Sequence, residues 1–183
     1  MSILDTKTLN LPVPGWRYYQ EQVVLDVLDA LDRGKKFVVV NVPSGVGKSV
    51  IGVAIMRMAR AMGLANRTVY KVGTKALQEQ MEKEFGYGSG GGAMRKVMGK
   101  GAYTCIGKPV GMKGLATSCE KGQWNCVKFG DSGCPYSAAY GCAEGADEVL
   151  MNYSLGLAHG RNGLLGRSNL AVSGFGLEVM DEA

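Results

Sequence analysis

No run of apolar residues in this chain approaches the ~18 that a membrane span requires, and Met1–Gly15 lacks the basic and then apolar order of a secretory leader. Both absences set the expectation of a cytoplasmic protein. Histidine is nearly missing. His159 alone occurs, in a Leu/Gly-rich stretch far from any candidate partner, so it reads as structural or solvated and not catalytic. None of the five cysteines forms a Cys-x-x-Cys pair, which makes a zinc ribbon a poor match. An excess of one charge is also lacking: 21 Lys+Arg face 16 Asp+Glu, for a net charge of +5, and 46% of residues are hydrophobic. That balance excludes a disordered chain, and 183 residues suit one domain with one sizeable core. There is no internal repeat.

Glycine is the residue in excess, at 28 of 183, about twice the usual ~7%. Many of these glycines lie between Gly86 and Gly101, where a loop is expected. The mild basic excess suits nucleic acid or nucleotide partners without requiring them.

Val24, Val27, Leu28 and Leu31 recur at helical spacing within Arg17–Arg33, and Gly34 stands where a left-handed cap would end the helix. Phe37–Val42 is a β-branched run with no helical period, which predicts a buried strand. A glycine loop follows. Ile51, Ile55, Met58 and Met62 then mark a second helix, in which Met56, Met58 and Met62 read as core packing. A strand over Thr68–Gly73 and a helix carrying Leu77, Met81 and Phe85 come next. Strand, helix, strand, helix with short joins predicts an α/β fold with a parallel sheet covered by helices. Regularity stops over 86–142, which holds all five cysteines and reads as an insertion. Strands are expected again at Val149–Met151 and Leu177–Met180, the latter containing a discordant Glu178.

Pro43-Ser44-Gly45-Val46-Gly47-Lys48-Ser49 lies between a predicted strand and a predicted helix, the context in which a phosphate-binding loop is credible. Glycines let backbone N–H groups wrap a phosphate at the helix N-terminus. Lys48 then reaches the β and γ phosphates, and the Ser49 hydroxyl ligates Mg²⁺. The strict pattern has glycine where this chain has Val42. Asp181-Glu182 follow the last apolar strand, as in the second nucleotide motif: Asp181 holds Mg²⁺ and Glu182 orients and deprotonates the attacking water. An acidic pair at that place is otherwise only a solvated terminus, and the upstream loop decides for the motif.

Cys105, Cys119, Cys126, Cys134 and Cys142 are separated by thirteen, six, seven and seven residues. Spacing alone leaves unliganded thiols and metal ligands both open, an iron-sulfur cluster among the latter. Tyr103 and Trp124 flank the cysteines and fit base stacking, cluster shielding or packing. Lys96, Lys100, Lys108, Lys113, Lys121 and Lys128 give the insertion a basic character suited to a DNA backbone or to a solvated face.

Several further segments carry a family resemblance. They are Arg17-Tyr18-Tyr19-Gln20, Gly73-Thr74-Lys75-Ala76-Leu77-Gln78-Glu79-Gln80, Lys100-Gly101-Ala102-Tyr103-Thr104-Cys105, Cys134-Pro135-Tyr136, Ala146-Asp147, Asn152-Tyr153-Ser154-Leu155 and Asp181-Glu182-Ala183. In this joint order, together with the phosphate loop, they resemble the XPD/DinG-type iron-sulfur DNA helicases of superfamily 2, from about Arg17 onward. Ala102 and Met151 depart from the family's usual Arg and Thr.

The resemblance implies a P-loop RecA-like motor domain over 1–98 and 143–183, with helices on both faces of its sheet, and an iron-sulfur insertion over 99–142. It implies ATP-driven 5′ to 3′ translocation on single-stranded and forked DNA. Arg17, Gln20 and Ser44–Ser49 would bind nucleotide, with Gln20 reading adenine. Thr74, Lys75 and Gln78 would border the DNA path. Cys105, Cys119, Cys126 and Cys134 would hold a 4Fe-4S cluster, leaving Cys142 spare. It also implies a second RecA-like domain with an arginine finger. These residues lack both, so the expectation is a fragment ending within the DEAH box, weak in nucleotide binding and inactive in unwinding. Two other readings stand beside it: a nucleic-acid-binding or redox-sensing module without motor activity, and a zinc-stabilised P-loop ATPase or kinase.

Overall fold

The computed structural model describes residues 5–88, 93–106, 133–161 and 175–181. Helix α1 spans Gln20–Asp32, and its Val24, Val27 and Leu28 are buried at the spacing the sequence predicts. The helix stops at Arg33, and the Gly34 N–H donates to the Leu31 carbonyl at 2.9 Å. Helix α2 (Lys48–Ala61) follows the glycine loop. Strand β1 is Thr68–Val72, and helix α3 is Lys75–Phe85. A two-residue strand β2 (Arg95–Lys96) precedes helix α4 (Pro135–Glu144), strand β3 (Glu148–Asn152), helix α5 (Tyr153–Arg161) and strand β4 (Leu177–Met180).

All pairings between the four strands are parallel, in the order β2-β3-β1-β4, so the molecule is an α/β fold with a parallel sheet flanked by helices. Alternation divides the strand residues between two faces. Tyr70, Val72 and Leu150 join a core with Val24, Ile51, Val53, Met56, Met81 and Phe85, placing α1, α2 and α3 on one side. Val69, Val149 and Met151 join Tyr136, Tyr140, Ala143 and Leu155, placing α4 and α5 on the other. Burial on both faces explains why β3 reads as a continuous apolar run over Val149–Met151. Gly52 lets α2 come close to the sheet, since a Cβ there would lie 2.7 Å from the Tyr70 ring and 3.1 Å from Val179.

Two expectations are corrected. Phe37–Val42 forms no strand: Phe37 is 90% and Val39 92% exposed, and neither edge of the described sheet pairs with this segment. Its β-branched composition permits an extended chain, but burial requires a neighbouring strand. Met62 lies beyond the last turn of α2 and is 47% exposed, whereas Met56 and Met58 are core residues as expected.

Glu178, discordant by sequence, is explained. Its carboxylate accepts from the buried Lys71 ammonium at 2.6 Å, across the β1–β4 pair on the α5 side. Among the described residues no helix is long and apolar enough to cross a membrane.

Candidate nucleotide-binding site

The loop between Pro43 and Ser49 leads directly into the first turn of α2. Gly45 and Gly47 have φ of 82° and 89°, left-handed values that L side chains rarely adopt. Gly47 is constrained twice, because a Cβ on it would also lie 2.6 Å from the Gln20 amide nitrogen. Lys48 is exposed, and Ser49 is half-buried one residue further into the helix.

Arg17 and Gln20 hold this loop from the α1 side. The Gln20 Nε2 donates to the Val46 carbonyl at 2.6 Å, and its Oε1 accepts from the Arg17 backbone N–H at 2.8 Å. Arg17 Nη1 donates to the Gly45 carbonyl at 3.3 Å. Gln20 is therefore buried, with both ends of its amide occupied by the protein. It is turned onto the loop rather than outward to a base. Beside the loop opens a cavity of about 600 Å³ lined by Tyr18, Tyr19, Val23, Val42, Pro43 and Val46, among others. The Tyr18 and Tyr19 rings stand at its edge with centroids 3.8 Å apart, and Tyr19 enters α1 with φ of 69°.

Asp181 comes to the same place from the far end of the chain. Parallel pairing aligns the C-terminal ends of β1 and β4, with Lys71 opposite Met180. Asp181 is fixed at three points. Its N–H donates to the Lys71 carbonyl at 3.0 Å, its carbonyl accepts from the Tyr153 hydroxyl at 2.5 Å, and its Oδ2 accepts from the Tyr70 hydroxyl at 2.9 Å. The Tyr70 hydroxyl also lies against α2, where a Cβ on Gly52 would come within 3.1 Å of it. Burial, followed by the negative charge of Asp181, pushes the Tyr70 phenol far above its ordinary 10.0, so it remains a proton donor to the carboxylate. Tyr70 thus lies between α2 and the Asp181 carboxylate at the end of β4. Glu182 lies outside the described residues.

Tyr70, Tyr153, Tyr18 and Tyr19 are not singled out as site residues by sequence reasoning. A tyrosine in an apolar strand looks like core, and the only available signal for Tyr70 is a polar tip two residues before the strand ends. The expected DNA contacts divide. Thr74 caps α3 by accepting from the Leu77 N–H at 3.1 Å, and Thr74 and Lys75 are exposed. Gln78 is corrected: it is 0% exposed, and its Nε2 donates to the Val97 and Leu150 carbonyls at 2.8 and 3.2 Å. It lies one turn into α3 on the sheet-facing side, where it ties the helix to β3.

Of the expected cluster ligands, Cys119 and Cys126 lie outside the described residues, as do Trp124, the side chain of His159, Lys108, Lys113, Lys121 and Lys128. Cys105 is half-buried, Cys134 is buried at the start of α4, and Cys142 is exposed on that helix; all three are free thiols. The Ser137 N–H faces the Cys134 sulfur at 3.5 Å. A Cβ on Gly133 would lie 3.7 Å from Ile106, so the residues next to Cys134 and Cys105 adjoin. Among the described residues no three His, Cys, Asp or Glu side chains gather in a metal-binding group. Tyr103 packs on Tyr136 with centroids 5.3 Å apart and accepts from the Met98 N–H, and burial pushes its phenol above the ordinary range. Lys96 is paired with Glu82 and so is not presented to a DNA backbone.

No curated protein matches the chain. Residues 14–112 match the family model described as type III restriction enzyme, res subunit, an interval that contains α1, the phosphate loop, α2, β1 and α3. That interval is more than half of the 183 residues, and the chain belongs to this family, which is of the superfamily 2 helicase and ATPase type.

Proposed function

We propose that the chain is the ATP-binding part of an XPD/DinG-type iron-sulfur DNA helicase that moves 5′ to 3′ on single-stranded DNA. The observation that carries this reading is the left-handed glycine loop leading into α2 with Lys48 and Ser49 in its first turn, and Asp181 hydrogen-bonded to Tyr70, whose hydroxyl lies against the same helix. Mg²⁺ is characteristically held by one or two carboxylates together with substrate phosphates and waters, and this donor set fits that need. When bound, the ion would neutralise charge on the β and γ phosphates.

In this reading the N–H groups of Gly45–Ser49 and the α2 N-terminus receive the phosphates, and Lys48 reaches the outer two. The groove lined by Tyr18, Tyr19, Val42 and Pro43 has the flat apolar walls that suit a base. Gln20 serves the site indirectly, by fixing the loop from beneath. Glu182 is assigned the orientation and deprotonation of the attacking water. Thr74 and Lys75 are assigned to the border of the DNA path, and a cytoplasmic location belongs to the same proposal.

The cluster is also part of this reading. Cys105 and Cys134 bracket a segment whose two ends adjoin, which supports a shared site completed by Cys119 and Cys126. A 4Fe-4S group held by four thiolates would supply order that the glycine-rich sequence does not.

The test is equilibrium ATP binding to the purified chain. Lys48→Ala is expected to weaken binding at least about tenfold, since it removes the phosphate-directed cation. Unchanged affinity in that variant refutes the nucleotide reading. Anaerobic purification should yield a brown protein with iron and acid-labile sulfide; a colourless zinc protein refutes the cluster.

A further inference from the structure

Asp181 follows the last residue of an edge strand, and nothing in the sheet pairs with β4 on its outer side among the described residues. A side chain there would ordinarily be among the least constrained in the sheet. Instead every polar group of the residue except one carboxylate oxygen has a partner: the Lys71 carbonyl, the Tyr153 hydroxyl and the Tyr70 hydroxyl. Two of those three partners are tyrosine hydroxyls from different elements. Tyr70 rises from β1 on the α2 side, and its ring lies under Gly52, where no other residue type would leave space for it. Tyr153 opens α5.

A phenol has one proton to give. Asp181 Oδ2 accepts that of Tyr70 at 2.9 Å. That bond orients the carboxylate and leaves Asp181 Oδ1 for a cation. We infer that Tyr70 is the positioning residue that presets the Asp181 carboxylate for the magnesium of a bound nucleotide, with Tyr153 fixing the Asp181 backbone. The inference rests on the nucleotide reading above and concerns metal coupling within it. Tyr70 acts through Asp181 and is not itself a ligand.

The experiment measures ATP affinity for the full chain by calorimetry, once with excess EDTA and once across a magnesium titration. Lys48→Ala is included as the variant that reports on the nucleotide site itself. Tyr70→Phe removes one oxygen and keeps the ring under Gly52. It is expected to leave metal-free ATP affinity unchanged and to reduce the magnesium-dependent gain about tenfold, the scale of losing a hydrogen bond to a charged group. Asp181→Asn should reduce the same gain, and the double variant should be no worse than Asp181→Asn alone, because both changes act on one carboxylate.

An unchanged or larger magnesium gain in Tyr70→Phe, with Lys48→Ala still impaired, overturns this inference and leaves the nucleotide reading intact. If Lys48→Ala binds like the parent chain, the nucleotide reading itself fails. Should Tyr70→Phe not fold, Tyr153→Phe carries the test: a smaller magnesium gain supports the preset carboxylate, and an unchanged one overturns it.

Discussion

Replacing Glu148 with leucine tests how α2, the helix that carries Lys48 and Ser49, is held to the sheet. Glu148 opens β3 and is 2% exposed. Its carboxylate accepts from Arg57 Nε at 3.3 and 3.2 Å and from Arg60 Nη1 at 3.1 Å. Arg57 is also buried, and its Nη1 donates to the Leu9 and Asn10 carbonyls at 2.8 and 2.6 Å, so the N-terminal segment is tied into the same cluster. Removing one partner of a buried pair costs about 3 to 5 kcal/mol because the remaining charge is left uncompensated. Arg57 keeps its two carbonyl acceptors and Arg60 can turn toward water, so a loss near 3 kcal/mol, the lower end of that range, is expected. Against a total of about 5 to 15 kcal/mol this is severe.

Urea unfolding followed by circular dichroism should show the midpoint falling with little change in slope. Arg57→Met combined with Glu148→Leu should recover much of the loss, since the unpaired charge is gone. Lys48 lies nine residues before Arg57, about 14 Å along the helix, so ATP affinity of the still-folded Glu148→Leu chain should be unchanged. A loss below about 1 kcal/mol would refute the reasoning, because it would mean that the Arg57 charge is as well solvated without its carboxylate as with it.

Three other outcomes follow from the same geometry. Gly47→Ala combines a φ of 89° with an approach of 2.6 Å to Gln20, so it should destabilise the chain by about 1 to 3 kcal/mol and weaken ATP binding in calorimetry at least about tenfold. Tyr70 keeps its proton far above the ordinary 10.0, so its contribution to stability is complete below that pH and is lost as pH rises beyond it. An ultraviolet phenolate titration should show this tyrosine ionising only together with alkaline unfolding, and the signal should be absent in Tyr70→Phe. Cys105→Ser or Cys134→Ser should reduce iron and sulfide content after anaerobic purification, whereas Cys142→Ser should not; equal content in all three would overturn the ligand assignment.

Local pattern disclosed most of the elements. The spacing of Val24, Val27 and Leu28, and of Met81 and Phe85, depends only on one face of one helix meeting a core, and both helices form where that spacing places them. The phosphate loop is equally local, since its glycines, lysine and serine are contiguous. What escaped sequence reasoning is what depends on a distant neighbour. Glu178 looked discordant because Lys71, its partner, lies more than a hundred positions away. Gln78 looked like a contact for DNA because nothing in α3 alone shows that the Val97 and Leu150 carbonyls await it. Phe37–Val42 has strand composition, yet among the described residues no strand lies alongside it to bury it. Tyr70 is the subtlest case: its ring is core and its hydroxyl is site, and a hydropathy pattern registers only the ring.

The exposed stretch from Phe37 to Val42 has a consequence for handling the protein. Phe37–Val40 are four residues of high β-propensity without charge or proline, open to solvent, and form a template for adhesion between copies. Lys35 and Lys36 stand on one flank and Pro43 on the other, the residue types that restrain such spread. Solutions of this chain should therefore remain clear when dilute and at low ionic strength, where the lysine charges repel, and cloud as salt screens them.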